Sequence, residues 1–128
     1  MNRRIPSNRL MSVVVLWCFI LGAPTGYGQQ IAEQYIPIGY SPGVSGKYSY
    51  IGPIVAVDRD AHTISVDENG QRRVIKVTGV TRIWLDRSKR RRENRVASED
   101  DCEVGRMIEV MYLTDAKESA AWIKIESR

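Results

Sequence analysis

The chain has 128 residues, with 19 Lys and Arg against 15 Asp and Glu, a single His and two Cys. This length excludes a large enzyme scaffold and allows one hydrophobic core. The apolar content of 43% and the charged content of 27% exclude a wholly disordered chain.

The first 28 residues have the pattern of a secretory signal peptide. Three arginines precede an uncharged apolar run over residues 10–23, which as a helix is about 21 Å long and shorter than the hydrocarbon core of a bilayer. Because Gly26 and Gly28 offer small residues at the exit, we expect cleavage after Gly28 and a periplasmic or extracellular protein. The alternative is an uncut segment that anchors the chain in the membrane.

Cleavage at Gly28 would change both the net charge and the cysteine content. The mature chain would hold 16 basic and 15 acidic residues, a net charge of +1, because the leader carries three arginines and no acid. Cys18 would leave with the leader, so Cys102 would have no intramolecular partner. We expect Cys102 to be a buried, inert thiol, a free thiol or one half of an intermolecular disulfide.

Residues 29–50 predict an extended or flexible arm. Tyrosines are interspersed with Pro and Gly in this stretch, and no helical period is present. The arm is either a disordered spacer or a segment that docks on its own domain or on a partner.

Residues 51–128 predict a small all-β domain. Apolar or alternating segments, with Asn69-Gly70 as a tight hairpin turn and one helical turn near residues 98–103, occur at 51–57, 62–67, 73–78, 83–85, 107–113 and 121–125. Strands at this spacing favour a five-stranded antiparallel OB-like barrel. Alternation in the last segment places Ile123 and Ile125 inside, and Trp122 and Lys124 outside.

A resemblance to known proteins is carried by turn glycines and strand apolar residues: Gly52, Ile54, Val57, Asp58, Thr63, Ile64, Val66, Gly70, Val77, Thr78, Thr81, Ile83, Val104, Gly105, Val110, Tyr112, Ala121 and Ile123. At these positions residues 51–126 resemble a bacterial family of small secreted OB-fold-like domains of unknown function. More distantly, they are similar to the periplasmic copper/silver-binding chaperones of Cus-type efflux systems.

The resemblance to the copper/silver chaperones implies a soft-metal site, but the family's ligands are absent here. That family uses a His, two Met and a capping Trp on its second and third strands, and residues 64–77 contain none of these. A metal carrier would therefore need a relocated site at His62, Met107 and Met111, whose thioethers suit Cu(I) or Ag(I).

The most distinctive run is a basic loop over residues 86–95, which has a net charge of +4 from six basic residues: Arg87, Lys89, Arg90, Arg91, Arg92 and Arg95. Guanidinium forks suit phosphate, sulfate or carboxylate. Export, the missing aromatic residues and the acidic run at 98–103 argue against nucleic acid. We expect either a loop neutralised by that acidic run or a site for an anionic envelope component or an envelope protein.

The chain has no zinc spacing, phosphate loop or nucleophile elbow, so the sequence predicts neither an enzyme nor a cofactor. It favours an exported, non-catalytic binding or structural module of the cell envelope. Its binding surface would be the basic loop with the Trp122 and Lys124 strip. Two alternatives stay open: the soft-metal carrier, and an accessory subunit of a membrane complex that contacts the membrane through an uncut anchor.

Overall fold

The computed structural model describes residues 33–42 and 48–128, so the expected signal peptide and Cys18 lie outside the described residues. Seven strands form one sheet in the order β3-β2-β1-β6-β7-β4-β5. The strands are β1 (Ser49–Asp58), β2 (Thr63–Glu68), β3 (Gln71–Lys76), β4 (Arg82–Asp86), β5 (Arg95–Val96), β6 (Met107–Tyr112) and β7 (Ala120–Glu126). The predicted all-β class is confirmed.

The predicted five-stranded antiparallel OB-like barrel is wrong. The sheet is open and mixed, with β3 and β5 at its edges and with β4 parallel to β7. The cause is a turn over residues 77–81, where the Thr81 hydroxyl accepts the Thr78 N–H at 2.9 Å and donates to the Ala120 carbonyl at 2.7 Å. This turn separates β3 from β4 and directs β4 along β7, while a single bridge joins Lys76 to Ser119.

The two turns predicted from local sequence are confirmed. Asn69 and Gly70 have φ of 54° and 81°, the positive values that a tight hairpin turn requires. A 3-10 turn at Glu99–Asp101 begins after Ser98, whose N–H donates to the Asp101 carboxylate at 2.9 Å.

β1 pairs with two neighbouring strands. Its first half pairs with β6, and its second half pairs with β2, where the register shifts between Ile54 and Ala56.

One face of the sheet encloses the hydrophobic core. Its fully or nearly buried members are Ile54, Ile64, Val66, Ile75, Ile83, Leu85, Cys102, Ile108, Val110, Tyr112, Ala120, Ile123 and Ile125. They alternate with residues of the opposite face along each strand, as the strand geometry requires.

The opposite face is covered around β7, and the prediction of an exposed Trp122 and Lys124 strip is wrong. Trp122 is 6% exposed and Lys124 is 0% exposed. The cover is residues 33–42, the docked arm, which begins with a helical turn at 33–35. The Lys124 ammonium donates to the Glu33 carboxylate at 2.9 Å and to the Ser41 hydroxyl at 2.5 Å, and it lies 4.5 Å from the centroid of the Trp122 ring.

Replacing Lys124 tests this buried contact. Lys124→Ala should lower the free energy of unfolding by about 3–5 kcal/mol, because Glu33 would become a buried carboxylate without its cation. The control is Lys89→Ala, which removes an ion pair to Glu126 from a lysine side chain that is 78% exposed. That loss should be below about 1 kcal/mol. Urea unfolding followed by circular dichroism measures both, and equal losses would contradict the burial of Lys124.

Candidate functional site

The basic loop forms one wall of an arginine-lined cleft with a volume of about 380 Å³. Four arginines of the loop line this arginine cleft: Arg87, Arg90, Arg92 and Arg95. Two further arginines from outside the loop, Arg106 and Arg128, also line it. Asp101, Leu85 and Ser127 complete the lining. The structure thus brings together guanidinium groups from three separate parts of the chain.

The loop backbone is closed by its own side chains. The Asp86 carboxylate accepts the Ser88 N–H at 2.9 Å, and a 3-10 turn follows over Ser88–Arg90. Arg91 then has a φ of 54°, which reverses the chain direction. The Asn94 side-chain oxygen accepts the Arg87 N–H at 2.7 Å and closes the loop. Two of the loop guanidinium groups also bond to backbone carbonyls: Arg87 Nε donates to Glu93 at 2.7 Å, and Arg95 donates to Val96 at 3.0 Å.

The arginines of the cleft divide into paired and unpaired groups. The Arg95 guanidinium lies 3.6 Å from the Asp101 carboxylate, and Glu103 pairs with Arg106 at 3.3 Å and with Arg128 at 3.0 Å. Within residues 33–42 and 48–128, no ion pair involves the other three arginines of the cleft, Arg87, Arg90 and Arg92. The Arg87 side chain instead donates to the Glu93 carbonyl.

Two of the predicted loop residues are not part of the cleft. Lys89 pairs with Glu126 and lines a second cavity of about 570 Å³, together with Ile38 and Tyr40 of the docked arm. Arg91 is exposed but does not line the cleft.

The acidic run at 98–103 neutralises only part of the cleft. Glu99 pairs with His62 at 2.8 Å, and Asp100 pairs with Arg59 at 3.1 Å, both outside the cleft. Asp101 and Glu103 are left to face the arginines. Six arginines against these two carboxylates leave the cleft with an excess of positive charge.

An unpaired hydroxyl also lies in the arginine cleft. Ser127 Oγ is buried and has no hydrogen-bond partner among the residues that the structure describes. Buried polar atoms are nearly always hydrogen-bonded, so this hydroxyl at the lining of the cleft keeps a hydrogen-bonding capacity that no described residue uses.

Sequence reasoning missed Arg106, Ser127 and Arg128. These residues flank the start of β6 and the end of β7, which are antiparallel neighbours, so the two strand ends lie side by side. The end of β4, which leads into the basic loop, lies beside them because β4 is parallel to β7. The missing signal was therefore the strand pairing, which no local pattern supplies.

The structure places the candidate soft-metal ligands on different elements, with His62 between β1 and β2 and with Met107 and Met111 on β6, and the relocated metal site stays a prediction. His62 Nδ1 is bound to the Glu99 carboxylate, and this hydrogen bond raises the pKa of His62. Met107 lies opposite Pro53, and Met111 lies opposite Ser49, on the β1–β6 pair. Across the described ranges, no group of three or more His, Cys, Asp or Glu side chains could hold a metal ion.

Cys102 lies in the hydrophobic core as a free thiol with no exposed surface. Burial raises the pKa of this thiol to about 12, so its reactive thiolate form is disfavoured. These properties favour the inert thiol, because an intermolecular disulfide would require Sγ to leave the core.

Comparison of the chain with protein-family models, with curated proteins and with solved structures found no match. The resemblance to secreted OB-fold-like domains and to copper/silver chaperones therefore stays a prediction. Within the described part of the chain, no helix has the length and apolar character needed to cross a membrane.

The Asp86 carboxylate holds the start of the basic loop, so the stability of the fold should depend on pH through the ionisation of this group. Burial alone would raise the pKa of Asp86, but hydrogen bonds from Ser88 and from the Ile38 N–H outweigh it and lower this pKa below 3.8. A lowered pKa means that the carboxylate stabilises the fold above about pH 3.8 and that this contribution is lost as the pH falls through the lowered value.

Asp86→Asn should therefore destabilise the fold by about 1–3 kcal/mol at neutral pH, and this difference from the wild type should shrink at about pH 3. Urea unfolding at the two pH values measures it. Asp60→Asn, on an exposed turn, serves as the control and should stay within about 0.5 kcal/mol of the wild type. A difference that grows on acidification would refute the role of the Asp86 carboxylate.

Proposed function

We propose that this chain is an exported, non-catalytic binding module whose arginine cleft binds a phosphate-bearing ligand of the cell envelope. One observation carries the proposal: guanidinium groups from three parts of the chain converge on one cleft, where three of the six have no acidic partner among the described residues and a buried hydroxyl has no hydrogen-bond partner.

The donor set favours phosphate among the anions. A guanidinium group presents paired N–H donors in a plane, which match two oxygens of one anion. Arg90, Arg92 and the Ser127 hydroxyl supply more donors than the two oxygens of a carboxylate can accept. A terminal phosphate offers three oxygens and a greater negative charge, so several donors can act on it at once.

The paired arginines contribute in a different way. Asp101 and Glu103 hold Arg95, Arg106 and Arg128 at the edge of the cleft. Side chains that are held in place before binding lose less conformational freedom when the ligand arrives. These arginines would supply a fixed positive field, and the unpaired arginines would make the direct contacts.

The expected signal peptide at 1–28 supports an envelope location. In that compartment, the same phosphate chemistry is available from a lipid headgroup or from a soluble phosphate ester. The two sources share the recognition chemistry, and a binding experiment with two probes separates them.

The test measures binding of the exported chain to pyrophosphate by calorimetry, and to phosphatidylcholine vesicles with and without phosphatidic acid, whose headgroup is a terminal phosphate, by co-sedimentation. Arg90→Gln/Arg92→Gln should weaken the affinity for whichever probe binds by about tenfold or more. Arg72→Gln/Lys76→Gln removes the same charge from exposed positions on β3 and should change binding by less than about threefold.

Each outcome of this experiment has a defined reading. Binding of pyrophosphate alone indicates a soluble ester, and binding of the phosphatidic acid vesicles indicates a headgroup. Equal losses in the two double variants would mean that net charge alone attracts the probe. That result, or failure of both probes to bind the wild type, would overturn the proposed function.

A further inference from the structure

The two ends of the basic loop are both attached to the docked arm. At the far end, Asn94 accepts the Arg87 N–H through Oδ1 at 2.7 Å and donates from Nδ2 to the Gln34 carbonyl at 3.0 Å. One buried amide therefore bonds to the loop with its oxygen and to the arm with its nitrogen. Loss of the arm would leave this amide with half of its bonds.

Asp86 makes the equivalent link at the near end of the loop. Its Oδ1 accepts the Ser88 N–H at 2.9 Å, and its Oδ2 accepts the Ile38 N–H of the arm at 2.8 Å. Asp86 and Asn94 are each 7% exposed, so water has little access to either side chain. Their hydrogen bonds to the arm are therefore costly to lose.

The arm is in turn fixed by contacts far from the loop. Glu33 and Ser41 bind the Lys124 ammonium, and the Gly39 N–H donates to the Glu109 carboxylate at 3.0 Å. Lys124 and Glu109 are fully buried neighbours on β7 and β6. Substitutions at Glu33 or Ser41 therefore act on arm docking without touching a cleft residue.

We infer that docking of residues 33–42 positions the arginine cleft, so that arm docking and phosphate binding strengthen each other. This inference rests on the proposed function for its ligand. The physical link is the pair of side chains, Asp86 and Asn94, that bond to the arm and to the loop at once. Coupling between two sites is reciprocal, so a ligand held by the ordered loop must also favour the docked arm.

The test compares Glu33→Gln and Ser41→Ala with a control on the same segment, Tyr40→Ala, whose residue is 77% exposed. Glu33→Gln removes a negative charge, so a bulk charge effect would strengthen pyrophosphate binding. The inference requires the opposite sign. We expect Glu33→Gln and Ser41→Ala to weaken pyrophosphate binding at least about fivefold, and Tyr40→Ala to leave it unchanged.

Hydrogen exchange gives a second readout that needs no ligand. In Glu33→Gln and Ser41→Ala, the Arg87, Ser88 and Arg91 amides should exchange faster, while Ile108 and Ile123 of the core should stay protected. The core amides report whether the variant is folded. Should Glu33→Gln lose core protection, the neutral Ser41→Ala decides the result.

The outcomes separate this inference from the proposed function. Faster loop exchange in the arm variants, with neither pyrophosphate nor the vesicles bound by the wild type, would leave the positioning role in place and overturn the proposed function. Unchanged loop exchange and unchanged affinity in both arm variants, with binding still lost in Arg90→Gln/Arg92→Gln, would overturn the inference alone.

Discussion

The buried ammonium of Lys124 is the contact on which the rest of this structure depends. A lysine charge is stable away from water only when other groups replace its hydration. Here the Glu33 carboxylate, the Ser41 hydroxyl and the face of the Trp122 ring take that place. Residues 33–42 can therefore cover the sheet face, because they carry the partners that the ammonium loses when the arm excludes water.

Such a buried pair fixes position more than it adds stability. The energy lost on removing two charges from water offsets much of their attraction, whereas a misplaced arm would leave Lys124 unpaired. Glu109, beside Lys124, adds a second constraint, because burial raises the pKa of its carboxyl group while the Gly39 N–H donates to it. The arm is thus held in one register across β6, β7 and the end of β4, and Asp86 and Asn94 extend that register to the arginine cleft.

Much of this arrangement follows from local sequence patterns, and the remainder does not. The Asn69-Gly70 hairpin, the Ser98 turn and most strand positions are encoded by neighbouring residues, so alternation and turn chemistry locate them. Alternation also puts Trp122 and Lys124 on the face opposite Ile123, but it cannot say what covers that face. The cover comes from Glu33 and Ser41, more than eighty residues away in the chain. The parallel β4–β7 pair, the two-residue β5 and the approach of Arg106 and Arg128 depend in the same way on contacts distant in sequence.

A double-mutant cycle between Glu33 and Lys124 tests the central claim most directly. The free energies of unfolding of Glu33→Gln, Lys124→Met and the double variant are compared with that of the wild type. If the arm is held by this buried pair, the two effects are far from additive, with a coupling energy of about 2 kcal/mol or more. Additive effects, with a coupling energy below about 0.5 kcal/mol, would show that Glu33 and Lys124 act independently and would contradict the account.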